Sequence, residues 1–155
     1  MSTIAFHKIT PADKKSIEQI ADWYKSEWNI SMEMTIQRIT SFPISGFPFQ
    51  VLMSVDDVPV ATAGIYSQVS LLEYDARFRI YSPWLALVYT LPRERKKGFG
   101  ALICERIELM SKEIGLKEIY LYTFTAESLY KKLNWEQVER FDYRGKDAVL
   151  MKKKL

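Results

Sequence analysis

Six consecutive residues, Arg95-Lys96-Lys97-Gly98-Phe99-Gly100, combine three cations with two glycines, and Arg93 stands just upstream. Glycine lets a backbone approach a ligand closely, and the flanking cations favour an anion. Directly behind them a helical period begins, with Phe99, Leu102, Ile103, Ile107, Met110 and Ile114 on one stripe. The first N–H groups of a helix lack partners and carry the positive end of its dipole. Loop and helix start together suit a diphosphate. Two familiar phosphate loops do not fit. A P-loop needs Lys-Ser/Thr after its last glycine, where Ala101-Leu102 stands; a dinucleotide fingerprint needs a third glycine, where Ile103 stands.

Metal and redox chemistry have little to work with. Cys104 is the only cysteine and His7 the only histidine, which excludes an internal disulfide and a multi-cysteine zinc site. Cys104, within the helical stripe, reads as a small core residue, and His7, on the first strand, as structural. The net charge of +3, from 22 basic and 19 acidic residues, is too mild to name a nucleic-acid partner. Aromatics are not interleaved with the Arg93–Lys97 cations, so the stacking platform of a single-strand binder is absent. No run of 18 apolar residues suggests a membrane span, and the N-terminus lacks a signal-peptide layout; a cytoplasmic protein is expected.

The elements that must position the loop follow from period and punctuation. At 155 residues, with 48% hydrophobic and 26% charged content, the chain reads as one globular domain spanning 1–155. A strand over 4–9 precedes Thr10-Pro11-Ala12-Asp13, read as a helix start with Thr10 as cap. Ile17, Ile20, Ala21, Tyr24 and Trp28 form the first helical stripe, and a second helix covers 32–42. A hairpin over 49–55 and 58–70 turns at Asp56-Asp57. Residues 73–81 show no clear period and read as a loop. Residues 83–90 read as a central strand. The helix from Lys97 ends at Gly115, a strand covers 118–124, and Thr125 is expected to cap a short helix through Leu133. Asn134 occupies an expected left-handed position, and strands over 135–143 and 146–152 meet at Arg144-Gly145, leaving Lys152-Lys153-Lys154 as a solvated end. The expected fold is α/β of the mixed α+β kind. A central mixed sheet of about six to seven strands is flanked by about four helices.

With these elements in place, the chain resembles the GCN5-related N-acetyltransferase superfamily, whose acetyl-CoA loop reads Arg/Gln-x-x-Gly-x-Gly/Ala. The resemblance runs from Ser82-Pro83-Trp84-Leu85-Ala86 through the strand ending Val88-Tyr89-Thr90, the loop and its helix. It continues over Ser128-Leu129-Tyr130-Lys131-Lys132-Leu133-Asn134-Trp135 to Tyr143-x-Gly145 and Met151-x-Lys153, about residues 83–152. The first and last of these phrases resemble the small-amine acetylating branch. Asn134 stands where many members have glycine, and Thr123-Phe124-Thr125 lacks an asparagine that several members carry.

The resemblance implies acetyl-CoA as cosubstrate, no metal, and a primary amine of a small molecule or peptide as acceptor. It implies that main-chain groups of Val88 and Thr90 meet the pantetheine arm and that the N–H near Tyr89 or Thr90 polarises the thioester. Backbone from Lys96 through Gly98, Phe99 and Gly100 to Ala101 would hold the pyrophosphate, with Arg93, Arg95, Lys96 and Lys97 reaching phosphate oxygens. Tyr130 falls at the position of the acid that protonates the departing thiolate. An alkyl amine with a pKa near 10.4 must lose a proton to react, and Glu73 and Asp75 are candidates for holding it or acting as base. Trp28 and Tyr81 are candidate walls of the acceptor pocket. Neither nucleic acid nor membrane is an expected partner, and a homodimer is compatible with the reading. The alternative is a non-catalytic CoA-sensing or protein-interaction module on the same fold, which retention of both loop and Tyr130 disfavours.

Overall fold

The computed structural model describes all 155 residues. Seven strands form one mixed sheet in the order β1-β2-β3-β4-β5-β7-β6. The strands are β1 (Ile4–Lys8), β2 (Phe49–Val55), β3 (Val58–Tyr66), β4 (Trp84–Thr90), β5 (Glu118–Thr123), β6 (Glu136–Tyr143) and β7 (Lys146–Lys154). The helices are α1 (Lys14–Trp28), α2 (Met32–Thr40), α3 (Leu71–Tyr74), α4 (Phe99–Glu113) and α5 (Glu127–Lys132), with 3₁₀ turns at Ala76–Ile80 and Pro92–Glu94. β4 and β5 run parallel, with Trp84 opposite Tyr120, as the crossover through α4 requires. The pairs β1/β2, β2/β3, β5/β7 and β6/β7 are antiparallel. The expected α/β mixed sheet is the observed one.

The chain forms two compact units. The first comprises Met1–Ile65 and Leu87–Ile107. Its core packs Ile17, Ile20, Trp23 and Tyr24 of α1 with Ile39, Leu52 and Tyr89. The second comprises Tyr66–Ala86 and Glu108–Leu155. Its core gathers Leu71, Phe78, Trp84, Tyr120, Phe141 and Leu150. Both hairpins turn through pairs of left-handed residues, Asp56 (φ 50°) with Asp57 (φ 68°) and Arg144 (φ 52°) with Gly145 (φ 85°). Such pairs match the twist of the strands they join.

Local differences from the sequence reading have local causes. α1 starts at Lys14 rather than behind Thr10: a turn closed by the Asp13 N–H on the Thr10 carbonyl at 3.0 Å comes first, and the Asp13 carboxylate accepts from the Thr10 N–H at 2.7 Å, the Thr10 hydroxyl at 3.0 Å and His7 Nε2 at 2.9 Å. Residues 71–80 are not a loop: α3 and a 3₁₀ turn stand there, each too short to display a period. Thr125 does not cap α5; the Thr123 hydroxyl accepts from the Ala126 N–H at 3.1 Å instead. On α4 the buried seam is Ile103, Cys104, Ile107 and Ser111, whereas Leu102 and Ile114 face water. α4 ends as expected at Gly115 (φ 90°), with the Leu116 N–H donating to the Ser111 carbonyl and the Gly115 N–H to that of Lys112. This is a Schellman closure. Lys152-Lys153-Lys154 is no frayed end: β7 runs to Lys154, with Lys153 opposite Ile119.

Candidate functional site

In the first unit, β4 delivers the chain into the glycine loop. Within β4, Leu87 has φ 56°, an outlier for a bulky side chain that persists only where its surroundings hold it. Here the Tyr24 hydroxyl donates to the Leu87 carbonyl at 2.7 Å. Behind it the Gln50 amide donates to Tyr24 Oη at 2.9 Å and to Thr62 Oγ1 at 2.8 Å, and the Thr62 hydroxyl donates to the Val51 carbonyl at 2.7 Å. Gln50 and Thr62 are both fully buried. A buried polar chain of this kind is stabilising only when satisfied, and it anchors the distorted residue immediately before Val88, Tyr89 and Thr90.

Past Thr90 the Pro92–Glu94 turn leads to Lys96 (φ 66°) and Gly98 (φ 84°), both left-handed. The first α4 bond runs from the Leu102 N–H to the Gly98 carbonyl, so the N–H groups of Phe99, Gly100 and Ala101 precede the intrahelical ladder. A Cβ built at Gly98 would meet nothing within 4 Å, and one at Gly100 only Thr90 Oγ1 at 3.9 Å. The loop thus leaves open space over a row of donors.

The cations of the loop are unlike one another. The Arg95 guanidinium donates from Nε to the Thr90 carbonyl at 2.8 Å and from Nη2 to Glu27 at 2.7 Å, and lies over the Tyr89 ring at 5.6 Å. Lys97 pairs with Glu94 at 2.8 Å. Arg93 reaches Glu94 only at 3.9 Å and is exposed, as is Lys96. Tyr89 stacks on Trp23 at 5.2 Å and meets the edge of Trp28 at 6.1 Å. Burial, and next the Glu27 carboxylate, pushes its phenol up. Trp28 itself is 43% exposed beside this ring.

In the second unit, Tyr130 lies in the last turn of α5, buried, with its ring edge-on to Trp135 at 5.7 Å. The Leu133 and Trp135 N–H groups donate to its carbonyl at 3.1 and 2.9 Å, with Asn134 left-handed (φ 69°) between them. Asp75 caps the 3₁₀ turn, accepting from the Arg77 N–H at 3.1 Å and from Arg77 Nε at 2.8 Å. The guanidinium hydrogen bond holds its carboxyl below the usual carboxylate range. Glu73 is exposed on α3. Tyr81 is half-buried, tilted against Tyr120 at 4.9 Å. Burial and a hydrogen bond to Glu118 push the Tyr120 phenol up to about 12.

Also in this unit, Tyr143 is stacked between Tyr74 and Tyr122, at 4.9 and 5.7 Å. Its hydroxyl and that of Tyr122 meet Ser70 at 3.3 and 3.1 Å. The residues that sequence reasoning missed are Gln50 and Thr62, and Tyr24 as more than core. A glutamine at the start of an otherwise apolar strand was the available signal. No group of three or more His, Cys, Asp and Glu side chains is placed to hold a metal, and no helix is long and apolar enough to cross a membrane.

By sequence, no protein-family model and no curated protein matches this chain. By structure, matches extend over nearly its full length. An aminoglycoside 6'-N-acetyltransferase complexed with coenzyme A superposes with a TM-score of 0.75 at 14% identity, over 97% of this chain and 96% of the other. A GNAT-family acetyltransferase from Streptococcus pneumoniae gives 0.70 at 17% identity, over 99% of each. An acyl-CoA N-acyltransferase from Pseudomonas aeruginosa gives 0.69 at 14%, over 97% and 99%.

Proposed function

We propose that this chain, which has the fold of the GCN5-related N-acetyltransferases, moves the acetyl group of acetyl-CoA to a primary amine of a small molecule or peptide. The observation that carries the reading is the loop from Lys96 to Ala101. Its left-handed Gly98 and the open space at Gly98 and Gly100 lie over the unladdered N–H groups of α4. A diphosphate fits such a cradle.

The residues divide the work. Backbone N–H groups of Gly98, Phe99, Gly100 and Ala101 bind the pyrophosphate, with exposed Arg93 and Lys96 adding charge. Lys97, paired with Glu94, contributes less, and Arg95 acts through its bonds to Thr90 and Glu27, setting the loop's departure from β4. Main-chain groups of Val88 and Thr90 bind the pantetheine arm, and the N–H at Tyr89 or Thr90 stabilises negative charge on the carbonyl oxygen. The neutral amine attacks the thioester carbon, a C–N bond forms and the C–S bond breaks. The Tyr130 hydroxyl gives its proton to the departing thiolate and recovers one from solvent. The proton lost by the amine passes to a carboxylate or water. Glu73 suits that role better than Asp75, whose ion pair with Arg77 makes it the weaker base. Trp28, exposed beside Tyr89, and Tyr81, half-buried beside Tyr120, are each assigned a contact with the acceptor.

The test has two arms. Gly100→Val, at a position with room for a side chain and no left-handed backbone, should fold and lose measurable CoA binding by calorimetry; normal affinity would remove the loop from the site. A screen that detects thiol release from acetyl-CoA, over spermidine, aminoglycosides, amino acids and lysine peptides, should return turnover. Tight CoA binding with no turnover on any amine would favour a CoA-sensing module instead.

A further inference from the structure

Lys153, near the end of β7, turns its ammonium inward: its side chain is only 18% exposed. It donates to the carbonyl of Leu133, which closes the C-terminal end of α5. It also pairs at 3.3 Å with Glu108 of α4, whose side chain is 15% exposed. Burying two charges costs desolvation that their attraction barely offsets, and an apolar pair of similar size is often as stable. Stability therefore accounts poorly for the pair. Its geometry accounts for it better. α5 has six residues, far below the roughly 12–15 at which a helix begins to hold by itself, so its placement depends on what grips its ends.

At the first end, Thr123 takes the Ala126 N–H, and Glu127 pairs with Lys131 at 2.9 Å and Arg140 at 2.7 Å. At the last end the grip is Lys153, a cation where the helix dipole favours one. The Leu133 whose carbonyl it holds donates its own N–H to the Tyr130 carbonyl, and Trp135, two residues on, donates to the same carbonyl and packs on the Tyr130 ring.

We infer that Lys153, held by Glu108, is a positioning residue that sets where the Tyr130 hydroxyl sits. This rests on the reading of Tyr130 as the proton donor. The test is single-turnover acetyl transfer from acetyl-CoA to the fastest acceptor among spermidine, an aminoglycoside, an amino acid and a lysine peptide. Lys153→Met and Lys153→Arg are compared in the native chain and in Tyr130→Phe. The paired variant Glu108→Leu/Lys153→Met leaves no lone buried charge and serves where Lys153→Met does not fold. A small displacement of a reacting group can cost up to about 100-fold. Lys153→Met, or the paired variant, should slow transfer about 10- to 100-fold with CoA affinity unchanged, and Lys153→Arg should recover most of the rate. In Tyr130→Phe the same change should slow nothing further, since groups acting through one another are not additive. A native rate in the folded Lys153 variants, or equal slowing in both backgrounds, overturns the inference. Failure of the underlying reading shows separately, as a native rate in Tyr130→Phe alone.

Discussion

The glycine loop of the first unit and the Tyr130 helix of the second hold their working groups by different means. On the proposed function the loop works through main-chain donors, and what fixes them is remote: a run from Val51 through Thr62, Gln50 and Tyr24 ends on the Leu87 carbonyl. The helix is proposed to work through one side chain, fixed from nearby by ion pairs and backbone bonds at its two ends. Main-chain work leaves identities open except where a side chain would intrude, at Gly98 and Gly100. Side-chain work concentrates on a single atom. Damage to the first should therefore appear as lost affinity, and damage to the second as lost rate.

Tyr130→Phe should draw the contrast most sharply. It deletes one hydroxyl and keeps the ring against Trp135, so CoA affinity and melting temperature should stay near native. The single-turnover rate should fall about 10²- to 10⁴-fold, the usual range for a general acid. A native rate from pH 7 to 10 would make Tyr130 a packing residue. Next in size is Tyr24→Phe, which removes the donor from the part-buried Leu87 carbonyl and the acceptor from the buried Gln50 amide. Leaving such a group unsatisfied costs about 1–3 kcal/mol. Urea denaturation should show that loss, and calorimetry should show weaker CoA binding. A destabilised variant with native CoA affinity would detach the run from the loop.

Neutralising Arg93 and Lys96 together should weaken CoA binding modestly and flatten its dependence on salt, because exposed charges are screened. An unchanged slope would leave these side chains merely solvated. The smallest effect belongs to neither site. Asp13 is held below its ordinary pKa, first by the Thr10 N–H and also by His7, so its contribution to stability is complete above the unfolded value near 3.9. That contribution is lost as pH falls through the lower folded value. Asp13→Asn should therefore be less stable than the native chain at pH 6, and the difference should shrink towards pH 2. A gap that persists at pH 2 would assign the effect to packing.

What was legible in the sequence follows from these two modes of construction. Gly98 announces itself, because few other residue types adopt its left-handed conformation (φ 84°). Asn134 and Gly115 are legible for the same reason, each occupying a left-handed position. Gln50 and Thr62 stay hidden because nothing local separates a bonded polar residue in a strand from an exposed one; only the fold brings Tyr24 to them. Lys153 stays hidden among three consecutive lysines, which read as solvated until β7 is seen to continue through them. α3 and the turn after it are shorter than the period by which a helix is recognised.

The aromatic contacts also give the molecule an optical consequence. Its four tryptophans divide evenly: Trp23 and Trp28 both lie against Tyr89 in the first unit, while Trp84 touches Tyr120 and Tyr122, and Trp135 touches Tyr130, in the second. Tyr24, Tyr89, Tyr120, Tyr122 and Tyr130 each lie against an indole that can take up their excitation. Trp28 alone of the four is open to water, and its emission belongs at the red edge of the spectrum. Replacing Trp23 and Trp28 with Phe leaves a chain whose fluorescence reports only on the second unit, through Trp84 beside Tyr120 and Tyr122 and Trp135 beside Tyr130. The opposite pair of replacements leaves one that reports only on the surroundings of Tyr89.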